Sequence, residues 1–198
     1  MKRADLHELH YIAPIVNLSS IIKHGLLAKR WAGRMKPESI AMEEIQQRRM
    51  NKRLVPGKRT LHEYVNLYFY ARNPMLYKRK DQHERICILR VSTAVLNLPG
   101  VIIADGNAAS DYTRFWPSPE GLEYVDEAIV FAEYWTDPDE IVAWRKKRIK
   151  CAEVLVPDRV DPKFIFGVYV SCEQAKRDVE AMNLSLPIKV DPHLFFMG

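Results

Sequence analysis

The sequence contains no glycine-rich phosphate loop, no G-x-S-x-G elbow, no H-E-x-x-H and no cysteine and histidine pattern with zinc spacing. Those absences remove the standard nucleotide-fold and metal-hydrolase readings. Cysteine is scarce. Cys87, Cys151 and Cys172 are odd in number, lack C-x-x-C spacing and each lie in or beside an apolar run, which favours buried, inert thiols and points to a reducing cytoplasm. No apolar run approaches the roughly 18 residues of a membrane span, and MKRADLHELH is charged with no apolar stretch behind it. Neither export nor membrane insertion is expected. Low-complexity tracts, long runs of like charge and internal repeats are also missing, so the chain should fold nearly end to end.

What is present is a globular composition. The 198 residues are 47% hydrophobic and 28% charged, enough to bury a core without disulfides, and a single domain over 1–198 is the expectation. The formal net charge is only +5, but it is unevenly placed. From Lys29 to Lys80 there are 14 Lys and Arg against 4 Glu and no Asp, a local balance of +10, so the rest of the chain carries about −5. Concentrated positive charge suits a polyanionic partner, because each phosphate contact releases counterions. A solvated basic surface would look the same on charge alone.

Strands are expected at Leu9–Ala13, Val65–Tyr70, Ile86–Val91, Val101–Ala104, Cys151–Val156 and Ile165–Val170, all dense in β-branched, aromatic or leucine residues. Helices are expected from Asn17, as N-cap, to Gly25; from Ser39 to about Arg53, stopped by Val55-Pro56-Gly57; and over Glu120–Trp135, Pro138–Arg148 and Cys172–Met182. The last of these follows a Ser171-x-x-Gln174 capping box. The irregular mixture, without a βαβ rhythm, indicates an α+β fold. Between Ala104 and Glu120 lies a long irregular loop, ADGNAASDYTRFWPSPE. Its Tyr112 and Arg114 would suit stacking on bases, while Phe115 or Trp116 would plug the core beneath.

Candidate chemistry is sparse. His7 and His10 in HELH stand three apart with no third ligand in view, so a solvated or hydrogen-bonded histidine is expected and no metal. Glu153 in CAEVLVP is a lone carboxylate on an apolar strand. It must face solvent, pair with a cation or do chemistry, and the pattern alone favours an edge-exposed position.

Several blocks, taken jointly in order and spacing, resemble the DarT family of DNA ADP-ribosyltransferases. They are YIAPIVNLSSIIKHGLL, SIAMEEIQQRRMNKRLVPG, LHEYVNLYFYARNPMLY, ADGNAASDYTRFW, EYWTDPDEI and AEVLVPDRV. The resemblance implies an ADP-ribosyltransferase-like split mixed sheet with flanking helices. It further implies a cleft for NAD as ADP-ribose donor and transfer to a base in single-stranded DNA, thymine before guanine. The family's catalytic glutamate falls on Glu153, and on Arg49 falls an arginine that engages the target base and the NAD phosphates. His10, Tyr11, Ala13, Asn17, Leu26, Tyr68 and Met75 fall at NAD-binding positions, and Arg48, Tyr112, Arg114 and Arg145 at DNA-binding ones. Where the family often reads Tyr-His-Ile-Thr, this chain reads His10-Tyr11-Ile12-Ala13, so Tyr11 stands where the NAD-holding histidine usually does. The resemblance also implies a cytoplasmic, monomeric toxin with a macrodomain antitoxin as possible partner. Transfer to RNA or protein, or a catalytically silent nucleic-acid-binding domain, are the alternatives. The mix of cations and aromatics from Ile45 to Tyr77 fits a reader of single strands, which needs the first for phosphates and the second for splayed bases.

Overall fold

The computed structural model describes residues 1–32, 38, 39, 46, 47, 49, 50, 52 and 59–197. The strands among these are β1 (Glu8–Pro14), β2 (Leu26–Leu27), β3 (Tyr64–Tyr68), β4 (Ile86–Ser92), β5 (Ile102–Ala104), β6 (Phe115–Pro117), β7 (Glu153–Pro157), β8 (Arg159–Val160), β9 (Ile165–Val170) and β10 (Ile188–Val190). Eight of them make one mixed sheet in the order β10-β9-β4-β1-β3-β7-β5-β6, while β2 pairs with β8 apart from it. All pairs are antiparallel except β9 with β10. The fold is thus α+β, as the irregular order of elements implied.

The sheet is nearly two sheets. β1 runs beside β4 through seven registered pairs and β3 beside β7 through five, but β1 and β3 meet only at His10 and Tyr68. Away from that pair the two halves part. Both faces are covered, which is why β4 reads as a continuous apolar run instead of an alternating one. Cys87, Leu89 and Val91 enter one buried cluster with Leu9, Leu67 and Val154, while Ile86 and Ile88 enter another with Tyr68, Leu194 and Phe195.

One transverse row positions the site. Arg90, His10, Tyr68, Glu153 and Ala104 are successive register partners across β4, β1, β3, β7 and β5. Directly opposed residues of antiparallel strands project from the same face. The row therefore carries polar side chains across the middle of the sheet.

The helices are short: α1 (Leu18–His24), α2 (Lys29–Ala32), α3 (Pro74–Tyr77), α4 (Glu127–Val130), α5 (Glu140–Ile149) and α6 (Glu173–Glu180). Gly25 ends α1 with φ +83°, and any Cβ there would lie 2.3 Å from the Val160 carbonyl oxygen, so position and conformation both require glycine. Asp139 caps α5, its Oδ1 accepting from Ile141 N at 2.8 Å and Val142 N at 3.2 Å, and Lys146, Lys147 and Arg148 close the helix where its dipole favours cations.

Several expectations change. Asn17 does precede α1 but makes no side-chain cap; its amide instead brackets the Glu38 backbone, donating to Glu38 O at 2.8 Å and accepting from Glu38 N at 3.2 Å. The Ser171 capping box is absent, because Ser171 Oγ donates to His83 O at 3.1 Å. The expected helix over Glu120–Trp135 is a 3-10 turn at Glu120–Tyr124 followed by α4, which restarts at the Asp126 cap. Phe115–Pro117 is an edge strand instead of loop. Trp116 stacks on Tyr124 at 3.8 Å, and Phe115 packs against the cluster of Leu61, Tyr64 and Ile102. Most of the helix expected from Ser39 to Arg53, with its stop at Val55-Pro56-Gly57, lies outside the described residues, as does Arg48.

Candidate active site

A cleft of about 1170 Å³ opens beside the place where the sheet splits. Glu153, the first residue of β7, lies at its floor and is 1% exposed. The strand pattern alone favoured an edge position. The sheet order instead puts β7 between β3 and β5, so the carboxylate is interior. Arg49, also buried, donates through Nη1 to both carboxylate oxygens, at 3.2 Å to Oε1 and 3.0 Å to Oε2. The backbone N–H of Ala108 donates to Oε1 at 3.0 Å.

A buried ion pair of this kind is a poor stability device. Desolvating both charges costs several kcal/mol each, and the attraction only roughly repays it. What it provides is a charged pair held in fixed geometry within a cleft. The Arg49 guanidinium is also incompletely used: Nη2 is buried and has no partner among the described residues. A buried unpaired donor costs about 1–3 kcal/mol, and an anionic ligand in the cleft would satisfy it.

Around this pair the cleft is lined by Tyr11, Ala13, Asn17, Leu26, Tyr68, Met75 and Tyr112. The structure therefore brings together Glu153, Arg49 and all but one of the expected NAD-binding positions. The exception is His10. It does not line the cleft, and both ring nitrogens are engaged: Nδ1 accepts from Ala71 N at 2.9 Å and Nε2 lies 3.0 Å from Glu8 Oε1. His10 sits where β1 and β3 pair, whereas Tyr11 and Ala13 follow it along β1 into the stretch where the two strands have parted. Burial raises the phenols of Tyr11 and Tyr68, and the Glu153 charge raises Tyr68 further, so both stay protonated and can donate. Burial likewise pushes the Cys151 thiol, also at the cleft, up to about 12, as it does for Cys87. These thiols are inert, as expected.

Of the expected DNA-binding residues that are described, only Tyr112 lines the cleft; Arg114 and Arg145 are exposed and outside it. The loop that carries Tyr112 is well tied. Asp105 Oδ1 accepts from Arg148 Nη1 at 3.0 Å and from Arg114 N at 3.0 Å, Thr113 Oγ1 donates to Asn107 O at 2.6 Å, and Lys52 Nζ donates to Ser110 O.

Among the cleft-lining residues that sequence reasoning missed are Lys52, His62, Trp144 and Lys147. His62 Nε2 is buried without a partner among the described residues, and burial followed by the Arg49 charge lowers its pKa. A signal was available for His62, since Thr60-x-x-Glu63 forms a capping box that fixes the turn leading into β3. Trp144 stood in the WRKKRIK segment, which reads as basic before it reads as aromatic. Among the described residues, no group of three or more His, Cys, Asp or Glu side chains is placed to hold a metal ion, and no helix is long and apolar enough to cross a membrane.

Comparison with known proteins gives concordant results. The family model described as "DarT: ssDNA thymidine ADP-ribosyltransferase, DarT" matches residues 10–196. A DNA ADP-ribosyl transferase-DNA ADP-ribosyl glycohydrolase fusion protein of Thermosipho africanus is 32% identical over 201 residues, covering 96% of this chain and 50% of the relative. The chain thus spans about half the length of that relative. The solved structure of Thermosipho africanus DarTG in complex with ADP-ribose superposes with a TM-score of 0.82 at 32% identity, covering 96% of this chain and 51% of the other. Thermus sp. 2.9 DarT in complex with ADP-ribosylated ssDNA superposes with a TM-score of 0.81 at 25% identity, covering 98% of this chain and 100% of the other.

Proposed function

The chain belongs to the DarT family, and from that premise we infer that it transfers ADP-ribose from NAD to a base of single-stranded DNA, thymine first. The observation that carries the reading is the buried Arg49–Glu153 pair at the floor of the cleft, with one Arg49 nitrogen left for a ligand. The relative bound to ADP-ribosylated ssDNA holds the product of such a reaction, which supports this reading.

In the reaction the bond from the nicotinamide ribose C1′ to the nicotinamide nitrogen breaks, and neutral nicotinamide leaves. Positive charge develops on the ribose. The Glu153 carboxylate stabilises it, and it costs no reorganisation because Arg49 and Ala108 N–H already fix the oxygens. A ring nitrogen of the base then bonds to C1′ and gives up its proton, for which Glu153 is a buried carboxylate acceptor. Arg49 Nη2 serves a phosphate of NAD or the carbonyl of the base, with planar donors that cannot deprotonate. Tyr11, on the cleft side of β1, takes the place of the NAD-holding histidine. Asn17, Leu26, Tyr68 and Met75 form the walls.

A toxin role follows from the chemistry, since modified bases block copying of the strand. The fusion of transferase and glycohydrolase in the Thermosipho relative supports a macrodomain-type glycohydrolase as the antidote to this chain as well. The direct test is mass spectrometry of synthetic oligonucleotides, DNA and RNA, after incubation with NAD. The expected result is one added ADP-ribose on thymine-containing single-stranded DNA, lost in Glu153→Gln. No addition to any strand, or preferential addition to RNA, would overturn the assignment.

A further inference from the structure

Helix α5 leaves most of its apolar side chains in solvent. Ile141, Val142 and Trp144 are exposed, and Ile149 is buried. Trp144 is 48% exposed, and the ring that meets it is Tyr112, itself 71% exposed, at a centroid distance of 5.0 Å and an interplanar angle of 83°. An edge-to-face pair covers one of its four ring faces and leaves three uncovered by the pair. Both residues line the catalytic cleft together with Lys147, which stands one turn beyond Trp144 on the same side of the helix.

The platform is held rigidly. Arg148 Nη1 donates to Asp105 Oδ1 at 3.0 Å and Asn107 N donates to Arg148 O at 2.9 Å, tying α5 to the loop that carries Tyr112. That loop also supplies the Ala108 N–H to Glu153 at 3.0 Å. A short, hydrogen-bonded piece of backbone therefore fixes the separation between the aromatic pair and the reacting carboxylate.

We propose that Tyr112 and Trp144 form a stacking seat for the nucleobase beside the one being modified, with Lys147 meeting the neighbouring phosphate. The inference rests on the function given above and deepens it. The occupant is chosen by uncovered π-faces, a cation next to them and continuity with the cleft. Every base has a π-face, so such a seat fixes the register of the strand without reading base identity. Tyr112 and Trp144 are accordingly positioning residues.

The test is a set of oligonucleotides with one target base and a single abasic site walked along the strand, used with wild type, Trp144→Ala and Trp144→Phe. Wild type should lose about tenfold or more in kcat/KM at one abasic position adjacent to the target. Trp144→Ala should show that loss on the intact strand, in the KM for DNA, and no further loss at the abasic position. Trp144→Phe should recover most of it. Equal kcat/KM for wild type and Trp144→Ala on the intact strand, or an abasic penalty undiminished in Trp144→Ala, overturns the seat and leaves the exposed face to a protein partner. If wild type modifies no strand, the proposed function fails and fluorescence anisotropy decides the seat separately. Identical Kd values for wild type and Trp144→Ala on the same oligonucleotides would then overturn it, whereas weaker binding by Trp144→Ala that an abasic site erases would uphold it.

Discussion

Arg49 Nη1 sits within hydrogen-bond reach of both carboxylate oxygens of Glu153, and both side chains are buried at the cleft floor. Removing one partner therefore has two effects that must be separated. Glu153→Ala leaves a buried guanidinium and the Ala108 N–H without an acceptor, which should destabilise the fold by about 3–5 kcal/mol. Glu153→Gln keeps the shape and the acceptor for Ala108 while losing the charge. Transfer by Glu153→Gln should fall on the order of a hundredfold or more with a smaller drop in Tm. Thermal melts run beside single-turnover transfer would separate the two, and transfer by Glu153→Gln within about tenfold of wild type would remove Glu153 from the chemistry.

Glu8 gives a pH dependence remote from the cleft. Burial alone would raise its carboxyl, but hydrogen bonds from His10, Tyr169 and Arg90 outweigh burial and lower it from 4.5 to about 2. Folded Glu8 is thus more acidic than unfolded Glu8. Its stabilisation is complete above about pH 5, at roughly 3 kcal/mol, and is lost as pH falls from 4.5 toward 2. Tyr169, which donates to Glu8 at 2.8 Å, moves oppositely: burial first and then the hydrogen bond to Glu8 push it up to about 12. Glu8→Gln should unfold more easily at neutral pH and lose stability less steeply between pH 5 and 2 when followed by circular dichroism. An acid transition as steep as that of wild type would show that other carboxylates control it.

Legibility in the sequence followed how local the signal was. The six strands expected from apolar runs all exist, Ile165–Val170 with the same bounds and the others displaced by a residue or two at one or both ends, because β-branched density is a local property. β2, β6, β8 and β10 have two or three residues each and carry no period of their own; they are strands only because tertiary packing supplies a neighbour. Glu153 shows the same limit at the site. Whether its strand lies at an edge or between β3 and β5 depends on pairing between distant segments, so the local pattern favoured solvent while the register put it beside Tyr68. That Tyr11 stands in place of a histidine was readable from the sequence itself. The pairing of Trp144 with Tyr112 was not, since it needs the Arg148–Asp105 tie that brings α5 to the loop.

Binding of single-stranded DNA should weaken steeply with salt. Lys29, Lys52, Lys78 and Lys147 all line the cleft, and each phosphate neutralised adds about −0.7 to the slope of log K against log salt for single strands. Lys147→Ala should lower affinity for all sequences alike and reduce the magnitude of that slope by about 0.7. Fluorescence anisotropy across a salt series measures both. A slope unchanged by Lys147→Ala would place this lysine away from phosphate.

Gly106 and Tyr112 lie on one loop but should fail in different ways. A Cβ at position 106 would lie 2.5 Å from Arg148 Nη1 and 3.1 Å from the Arg148 carbonyl oxygen. The end of the arginine side chain can yield, but relief of the backbone contact requires the loop to move away from α5. Two residues along, the Ala108 N–H holds Glu153. Gly106→Ala should therefore shift the support of the reacting carboxylate by a few tenths of an ångström, and since misplacement by about 1 Å commonly costs on the order of a hundredfold, a loss of severalfold is expected. The loss should appear equally in slow hydrolysis of NAD without DNA and in transfer to DNA. Tyr112→Ala removes a side chain that meets Trp144 and makes no contact with Glu153, so transfer should fall while NAD hydrolysis stays near wild type, and exposed Arg114, outside the cleft, should tolerate alanine with little change in either. Parallel assays of NAD hydrolysis and oligonucleotide modification discriminate among the three. If Tyr112→Ala lowers both activities together, the loop belongs as a whole to the NAD site, and its separate role in holding DNA is wrong.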